Sequence, residues 1–398
     1  MAAILIFLAT YFVLAVGRLP GFRVDRTGAA IIGASLMVGA NVLTLDEAYR
    51  AINWDTIILL FGMMIVVANL RLSGFFAAAS EWVVEHAHGP AVLLAAIVLV
   101  SGFFSAFFVN DTMCLVLTPL VLDISASLRR NPVPYLLAVA MAANIGSVAT
   151  ITGNPQNMLI GTFSGIHYRA FAAAQSPAAA LGLVLTVAAI YIGYRKEFRS
   201  AEIVTLERRP VLVDKSLLWK SLAVSIGMIV FFFAGWPVPK VAIVAGALLL
   251  LTRRVKPEKI YAQVDWPLLV MFAGLFVVVA GMETSSLETS FATLAASTHL
   301  ERPLVLSSLS AILSNIVSNV PAVLVFKPFI TQLADPRHGW LVLAMSSTFA
   351  GNLTVLGSVA NLIVIQRARH QAEITFWEYA RIGIPLTVLT ILIGAVLV

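Results

Sequence analysis

The chain has one cysteine and few charges. Its 398 residues include 26 Lys and Arg, 20 Asp and Glu, and only Cys114. One cysteine excludes an internal disulfide, and the apolar neighbours of Cys114 assign it to packing. Charged residues make up 12% of the chain, against about 25% in a soluble domain; that shortage excludes a soluble globular protein. There is no GxxxxGK[ST] phosphate loop, no HExxH, no paired-cysteine motif and no nucleophile motif. ATP-driven work within this chain and enzymatic chemistry are therefore not expected. The histidines His86, His88, His167, His299, His338 and His370 fall in loops without metal-ligand spacing. The net charge of +6 is explained below by membrane topology, so no nucleic-acid partner is expected.

What the chain does have is long apolar runs. It is 60% hydrophobic with a mean hydropathy of +0.94. Runs at 2–17, 28–43, 56–70, 90–109, 177–194, 221–235, 241–251, 266–282 and 382–398 approach the length that carries a helix across roughly 30 Å of hydrocarbon. Barrel strands would alternate and be shorter. The expectation is an all-α integral membrane protein in a lipid bilayer. The first run has no leading positive charge and no clear cleavage site, so it reads as a first span rather than a signal peptide.

The polar stretch 195–220 divides the chain almost in half, and the two sides resemble each other. Residues 52–67 align with 264–279, pairing Trp54 with Trp266 and Gly62 with Gly274. Residues 109–121 align with 318–330, pairing Asn110 with Asn319 and Pro119 with Pro328. Residues 149–160 align with 353–364, pairing Thr150 with Thr354, Gly153 with Gly357 and Asn157 with Asn361. Three matches in one order indicate an internal repeat. The repeats are assigned to 1–194 and 216–398, with 195–215 as a linker.

Positive charge sets the orientation. With the N-terminus outside, the segments 18–26, 71–89, 126–132, 195–220, 253–265 and 367–381 lie inside and hold 20 of the 26 Lys and Arg. The segments 46–55 and 283–301 then lie outside and are acid-rich. This requires 90–125 and 303–335 each to return to the side they left, as re-entrant hairpins with short turns. Each half then has five spans and one hairpin. An odd number inverts the second half, giving about 10 transmembrane helices plus 2 re-entrant hairpins. Inverted repeats of this kind are an architecture of secondary transporters.

Polar residues interrupt the apolar runs at matching places. The first hairpin turn carries Ser105, Asn110, Asp111 and Thr112. The broken span at 134–161 carries Asn144, Ser147, Thr150, Thr152, Gly153, Asn154, Gln156 and Asn157. The second hairpin carries Ser314, Asn315, Ser318 and Asn319. The broken span at 340–366 carries Thr348, Asn352, Thr354, Gly357, Ser358 and Asn361. Unpaired amides are costly in lipid, so these groups must face one another, the backbone or water. A break frees carbonyls for a cation and N–H groups for an anion. Pro155 suits the start of a half-helix; GSVAN in the second repeat has no proline, and a gentler break is expected there. Asp111 suits cation or proton handling or a helix cap. Lys327 suits an anion contact or a snorkelling role, Arg71 an interfacial anchor, and Trp54 and Trp266 an interface belt. Residues 75–87 read as an amphipathic surface helix, with 289–298 as its outer counterpart.

The stretches FVNDTMCLVLTPLVL, GNPQNMLIG, SNVPAVLVF and LGSVANLIV resemble signatures of the ion transporter superfamily. That group includes arsenite/antimonite permeases, divalent-anion/sodium symporters, citrate transporters and a type of sodium/proton antiporter. Over nearly the whole chain the likeness is to short bacterial anion permeases. The resemblance implies a homodimer in the bacterial inner membrane and an elevator movement of hairpins and broken spans. It also implies a small inorganic or carboxylate anion as substrate, with Na⁺ or H⁺ as coupling ion. It places Na⁺ near Asn110, Asp111, Gly153, Asn319 and Gly357, with no other cofactor. Dicarboxylate binders in the group carry Ser-Asn-Thr at both hairpin tips. Here Ser318–Asn319 continues with Val320, and Asn110 follows Val109. The Asn110–Asp111 pair is closer to the arsenite-permease branch, so arsenite/antimonite efflux and sodium/proton antiport stand as alternatives.

Overall fold

A computed structural model describes residues 2–17, 21–86, 89–199, 213–284 and 299–398, and every regular element among them is helical. A helix satisfies its backbone within one segment, which is what a hydrocarbon surround demands. The first half runs α1 (Ala2–Val16), α2 (Arg26–Gly39), α3 (Leu45–Ala51), α4 (Trp54–Leu72), α5 (Phe75–His86), α6 (Pro90–Phe107), α7 (Asn110–Ser127), α8 (Pro132–Ser147), α9 (Pro155–Ser164) and α10 (Tyr168–Gly193). After the short α11 (Arg195–Phe198), the order recurs as α12 (Lys215–Phe233), α13 (Val238–Leu250), α14 (Pro257–Tyr261), α15 (Trp266–Glu283), α16 (Pro303–Val317), α17 (Asn319–Ile330), α18 (Pro336–Phe349), α19 (Val359–Ala368) and α20 (Phe376–Leu397). The expected outer helix at 289–298 and most of the linker lie outside the described residues.

Matching helices begin with matching caps. Asn53 accepts a hydrogen bond from the Thr56 N–H at α4, and Asp265 accepts from the Leu268 N–H at α15. Packing is exchanged between the halves: α4 lies on α13, and α15 lies on α2. Both contacts rest on a missing side chain. A Cβ on Gly62 would stand 2.6 Å from the Ala242 carbonyl carbon, and one on Gly274 would stand 2.7 Å from the Ala30 carbonyl oxygen. This exchange is what two halves related by a pseudo-two-fold axis produce.

Among the described residues six helices are long and apolar enough to cross a membrane, including α4, α10, α15 and α20. Large apolar side chains face outward on these and neighbouring helices, including Trp219, Ile226, Val184 and Leu389. So broad an apolar exterior belongs in lipid. Trp54 and Trp266 are exposed near helix ends.

The hairpins differ in size. In the first, arms α6 and α7 have 18 residues each; in the second, α16 and α17 have 15 and 12. The second break is not the gentler one. It runs over 350–358 and contains two 3-10 turns, Ala350–Asn352 and Val355–Gly357, whereas the first has one, Ile151–Gly153. Proline is therefore not what sets the extent of unwinding. Side-chain bonds to the freed backbone hold both breaks.

Candidate transport site at the paired helix breaks

Each break is closed by an asparagine from the half-helix that follows it. The Asn157 Nδ2 donates to the carbonyls of Ser147 and Thr150, both at 3.1 Å, and to that of Val148 at 3.4 Å. The Asn361 Nδ2 donates to the carbonyls of Gly351 at 2.7 Å and Thr354 at 3.1 Å. Ser147 matches Gly351 and Thr150 matches Thr354, so the two clasps are the same device. Carbonyls released by the unwound turn thereby gain donors. At the start of α9, Asn154 accepts from the Asn157 N–H at 2.8 Å, and Pro155 has no N–H to satisfy. A Cβ on Gly153 would lie 2.1 Å from the Ser147 carbonyl oxygen.

The breaks also bind each other. Ser358 donates to Asn144 Oδ1 at 3.0 Å, and Asn154 Nδ2 donates to Thr348 Oγ1 at 3.3 Å. Ser358 matches Asn154, and Thr348 matches Asn144, so one contact is made twice about the axis. Asn144 is the hub. It accepts from Asn110 Nδ2 at 3.0 Å and donates to Asn352 Oδ1 at 2.8 Å and Asn361 Oδ1 at 3.0 Å. Asn144 is 1% exposed, and Asn154, Asn157 and Asn361 are fully enclosed.

The hairpin ends join the breaks by a third matched pair of contacts. Thr150 donates to the Ala106 carbonyl, and Thr354 donates to Asn315 Oδ1 at 3.2 Å. Ala106 and Asn315 occupy equivalent places on α6 and α16. Each second arm packs on the half-helix of the other repeat, α7 on α19 and α17 on α9. The second tip is strained. Ser318 has φ +80° and ψ 160°, a region that glycine tolerates and other residues enter at a cost of about 1–3 kcal/mol.

Buried oxygens at both hairpins have no hydrogen-bond partner among the described residues: Ser105 Oγ and Asn110 Oδ1 in the first, Ser314 Oγ and Asn319 Oδ1 in the second. They are sequence equivalents. Such orphans usually mark a bound water, an ion or a functional role. An oxygen-only donor set suits a hard cation such as Na⁺. Ser101 and Ser310, one turn earlier on each first arm, are orphaned as well. The i, i+4 serine pair recurring in both halves was the sequence signal for them.

Asp111, in the first turn of α7, lies near the start of α19, where the Ala360 N–H donates to Ser358 Oγ at 3.2 Å. A carboxylate of the first repeat therefore sits at the N-terminus of the second repeat's half-helix, where the helix dipole favours negative charge. Its equivalent in the second hairpin is Val320, so the site is asymmetric in charge. Thr112 lies beside Asp111 and is half-buried.

Lys327 is held away from this cluster. Its Nζ lies 3.0 Å from Glu283 Oε1 and 5.1 Å from the centre of the Phe163 ring. The pair lines a cavity of about 450 Å³ with Arg50 and Asp55 between α4, α9, α15 and α17. Arg71 donates to Gln263 at 2.6 Å. Among the described residues no cluster of His, Cys, Asp or Glu could hold a metal ion.

Residues 9–350 match the family model described as citrate transporter (CitMHS), and the chain belongs to that family. A 46 kDa membrane protein of Mycobacterium leprae is 30% identical, covering 99% of this chain and 97% of that one. The silicon efflux transporter LSI3 of Oryza sativa is 30% identical over 95% of this chain and 93% of its own. The crystal structure of the YdaH transporter of Alcanivorax borkumensis shares the fold, with a TM-score of 0.66 at 14% identity, covering 99% of this chain and 95% of that one. The protein is a membrane transporter of the citrate transporter and arsenite permease-like group, and it is not an enzyme.

Proposed function

We propose that the protein is an ion-coupled secondary active transporter of a small anion or oxyanion, working from a bacterial inner membrane with the N-terminus outside and the 195–215 linker inside. The observation that carries this reading is the joining of two matched helix breaks and the first hairpin tip at Asn144, with an orphaned Asn110 oxygen next to an acid at a helix N-terminus. The N-terminus of α19 is a pole for negative charge. The Asp111 carboxylate competes there with an incoming anion. A proton or Na⁺ that neutralises Asp111 lifts the competition, so cation and anion favour each other's binding.

In this reading Asn110, Asp111, Thr112, Ser318 and Asn319 meet the ions. Asn144, Thr150, Gly153, Asn154, Asn157, Thr354, Gly357, Ser358 and Asn361 shape the walls. When bound, Na⁺ would be held at a tip by that tip's own oxygens, Ser105 and Asn110 in the first hairpin or Ser314 and Asn319 in the second, and would supply positive charge for the anion. The hairpins and broken spans form the moving part of a homodimeric elevator. A small solute as cargo is supported by the rice relative, a silicon efflux transporter. Arsenite or antimonite efflux and sodium/proton antiport are the rival assignments.

A thermal-shift screen of purified protein against oxyanions and carboxylates, with and without Na⁺ and across pH, tests this. A ligand of the folded state raises apparent stability. The reading expects an anion whose shift grows as pH falls or Na⁺ rises. Metalloid tolerance in cells lacking their own pump, or a pH-dye response to Na⁺ with no added anion, would select a rival instead.

A further inference from the structure

A second cavity, of about 510 Å³, opens on the outside of the bundle between α6, α8 and α10. On α10 its lining recurs at Arg169, Ala172, Ala173, Ser176, Ala180 and Leu183, a single helical face. At 1.5 Å per residue that face runs about 21 Å, somewhat more than the roughly 15 Å hydrocarbon depth of one leaflet. The walls are apolar, and the one charged residue in the lining is Arg169, at the mouth.

Arg169 is exposed and lies in the first turn of α10. The cap residue, His167, makes no side-chain bond to that helix start. The mouth thus combines a guanidinium with an uncapped helix N-terminus, both of which attract a phosphate. The floor is as specific. Ala106 and Thr150 line the groove, and the Thr150 hydroxyl bonds the Ala106 carbonyl. A chain lying there touches the contact that joins the first hairpin to the first break.

We propose that this groove binds an anionic phospholipid of the outer leaflet. The phosphate sits on Arg169 and the start of α10, and one acyl chain lies along α10 against the Ala106–Thr150 contact. The lipid braces the first hairpin against its break. Charge complementarity at the mouth and apolar walls of leaflet length select a lipid over a free anion, which would leave the groove unfilled. Nothing in this assignment depends on the identity of the transported solute.

The test uses full-length protein and three variants: Arg169→Gln removes the charge, Ala173→Phe fills the groove, and Arg302→Gln serves as a control at another exposed arginine. Native mass spectrometry reads phosphatidylglycerol retained after detergent purification. Thermal unfolding is compared in phosphatidylcholine vesicles with and without phosphatidylglycerol. The expected result is at least a fivefold loss of retained phosphatidylglycerol in Arg169→Gln and Ala173→Phe, with loss of the stabilisation it gives. Arg302→Gln should behave as the parent. Unchanged retention in both groove variants overturns the proposal. Stabilisation by inorganic phosphate equal to that by phosphatidylglycerol also overturns it, in favour of a free-anion site. A shift of Ala173→Phe from dimer to monomer, with lipid retention unchanged, assigns the groove to a second copy of the chain.

Discussion

Ser358 donates to Asn144 across the two halves of the molecule at 3.0 Å, and Asn154 returns the same contact to Thr348 at 3.3 Å. Neither break is a free-standing irregularity. Each is half of a bonded pair, and Asn144 carries most of the bonds. Replacing Asn144 with Ala leaves Asn110, Asn352, Asn361 and Ser358 short of a partner. Unsatisfied buried groups cost about 1–3 kcal/mol each, so a loss of about 3 kcal/mol or more is expected. Thr348→Val removes the acceptor shared by Asn154 and Gln156 and should cost about 1–3 kcal/mol, less than Asn144→Ala because Asn154 keeps its bonds to Ser147. Thermal unfolding in detergent checks the order of the two.

Gly153 has no room for a methyl group. Gly153→Ala forces a Cβ to within 2.1 Å of the Ser147 carbonyl oxygen, which pushes the clasped turn open. Loss of folded protein on size-exclusion chromatography is expected. Gly227→Ala on α12, with nothing within 4 Å, should leave yield and monodispersity unchanged.

Ser318 sits at φ +80°. Ser318→Gly relieves that strain and should stabilise the protein by about 1 kcal/mol. If the tip is held strained for transport, the stabilised variant will also transport more slowly. Paired Tm and flux measurements read both effects.

Lys327 and Glu283 are each about a third exposed, at 30% and 31%. Pairs so exposed contribute about 0–1 kcal/mol. Lys327→Met and Glu283→Gln should therefore change Tm little. A larger loss in either, restored by exchanging the two charges, would show that the pair is effectively buried.

Much of the layout of the candidate site was legible because matching segments occur in both halves. GNPQN marked the first break, and the matches at Asn110/Asn319 and Asn157/Asn361 located the hairpin tips and the second break. The extent of the second break is not legible from proline content, since the break without proline is the longer one. Beside the local Asn361 clasp, Asn315 Nδ2 donates to the Ala350 carbonyl at 2.9 Å across 35 residues, and that bond is set by tertiary geometry. The hub role of Asn144 was not legible for the same reason: Asn352 and Asn361 lie more than 200 residues away in sequence. The partner of Lys327 is not legible either, since Glu283 is on another helix, 44 residues away. The strain at Ser318 has no residue-type signal at all.

The central claim is that Asp111 couples a cation to an anion at the N-terminus of α19. The most direct measurement is anion uptake into proteoliposomes under imposed H⁺ or Na⁺ gradients, using the parent protein, Asp111→Asn and Asn319→Ala, with folding verified by Tm. The account predicts gradient-driven uptake by the parent. Asn319→Ala should lose transport, and Asp111→Asn should bind anion without responding to the gradient. Gradient-driven uptake at the parent's rate by both variants would contradict it.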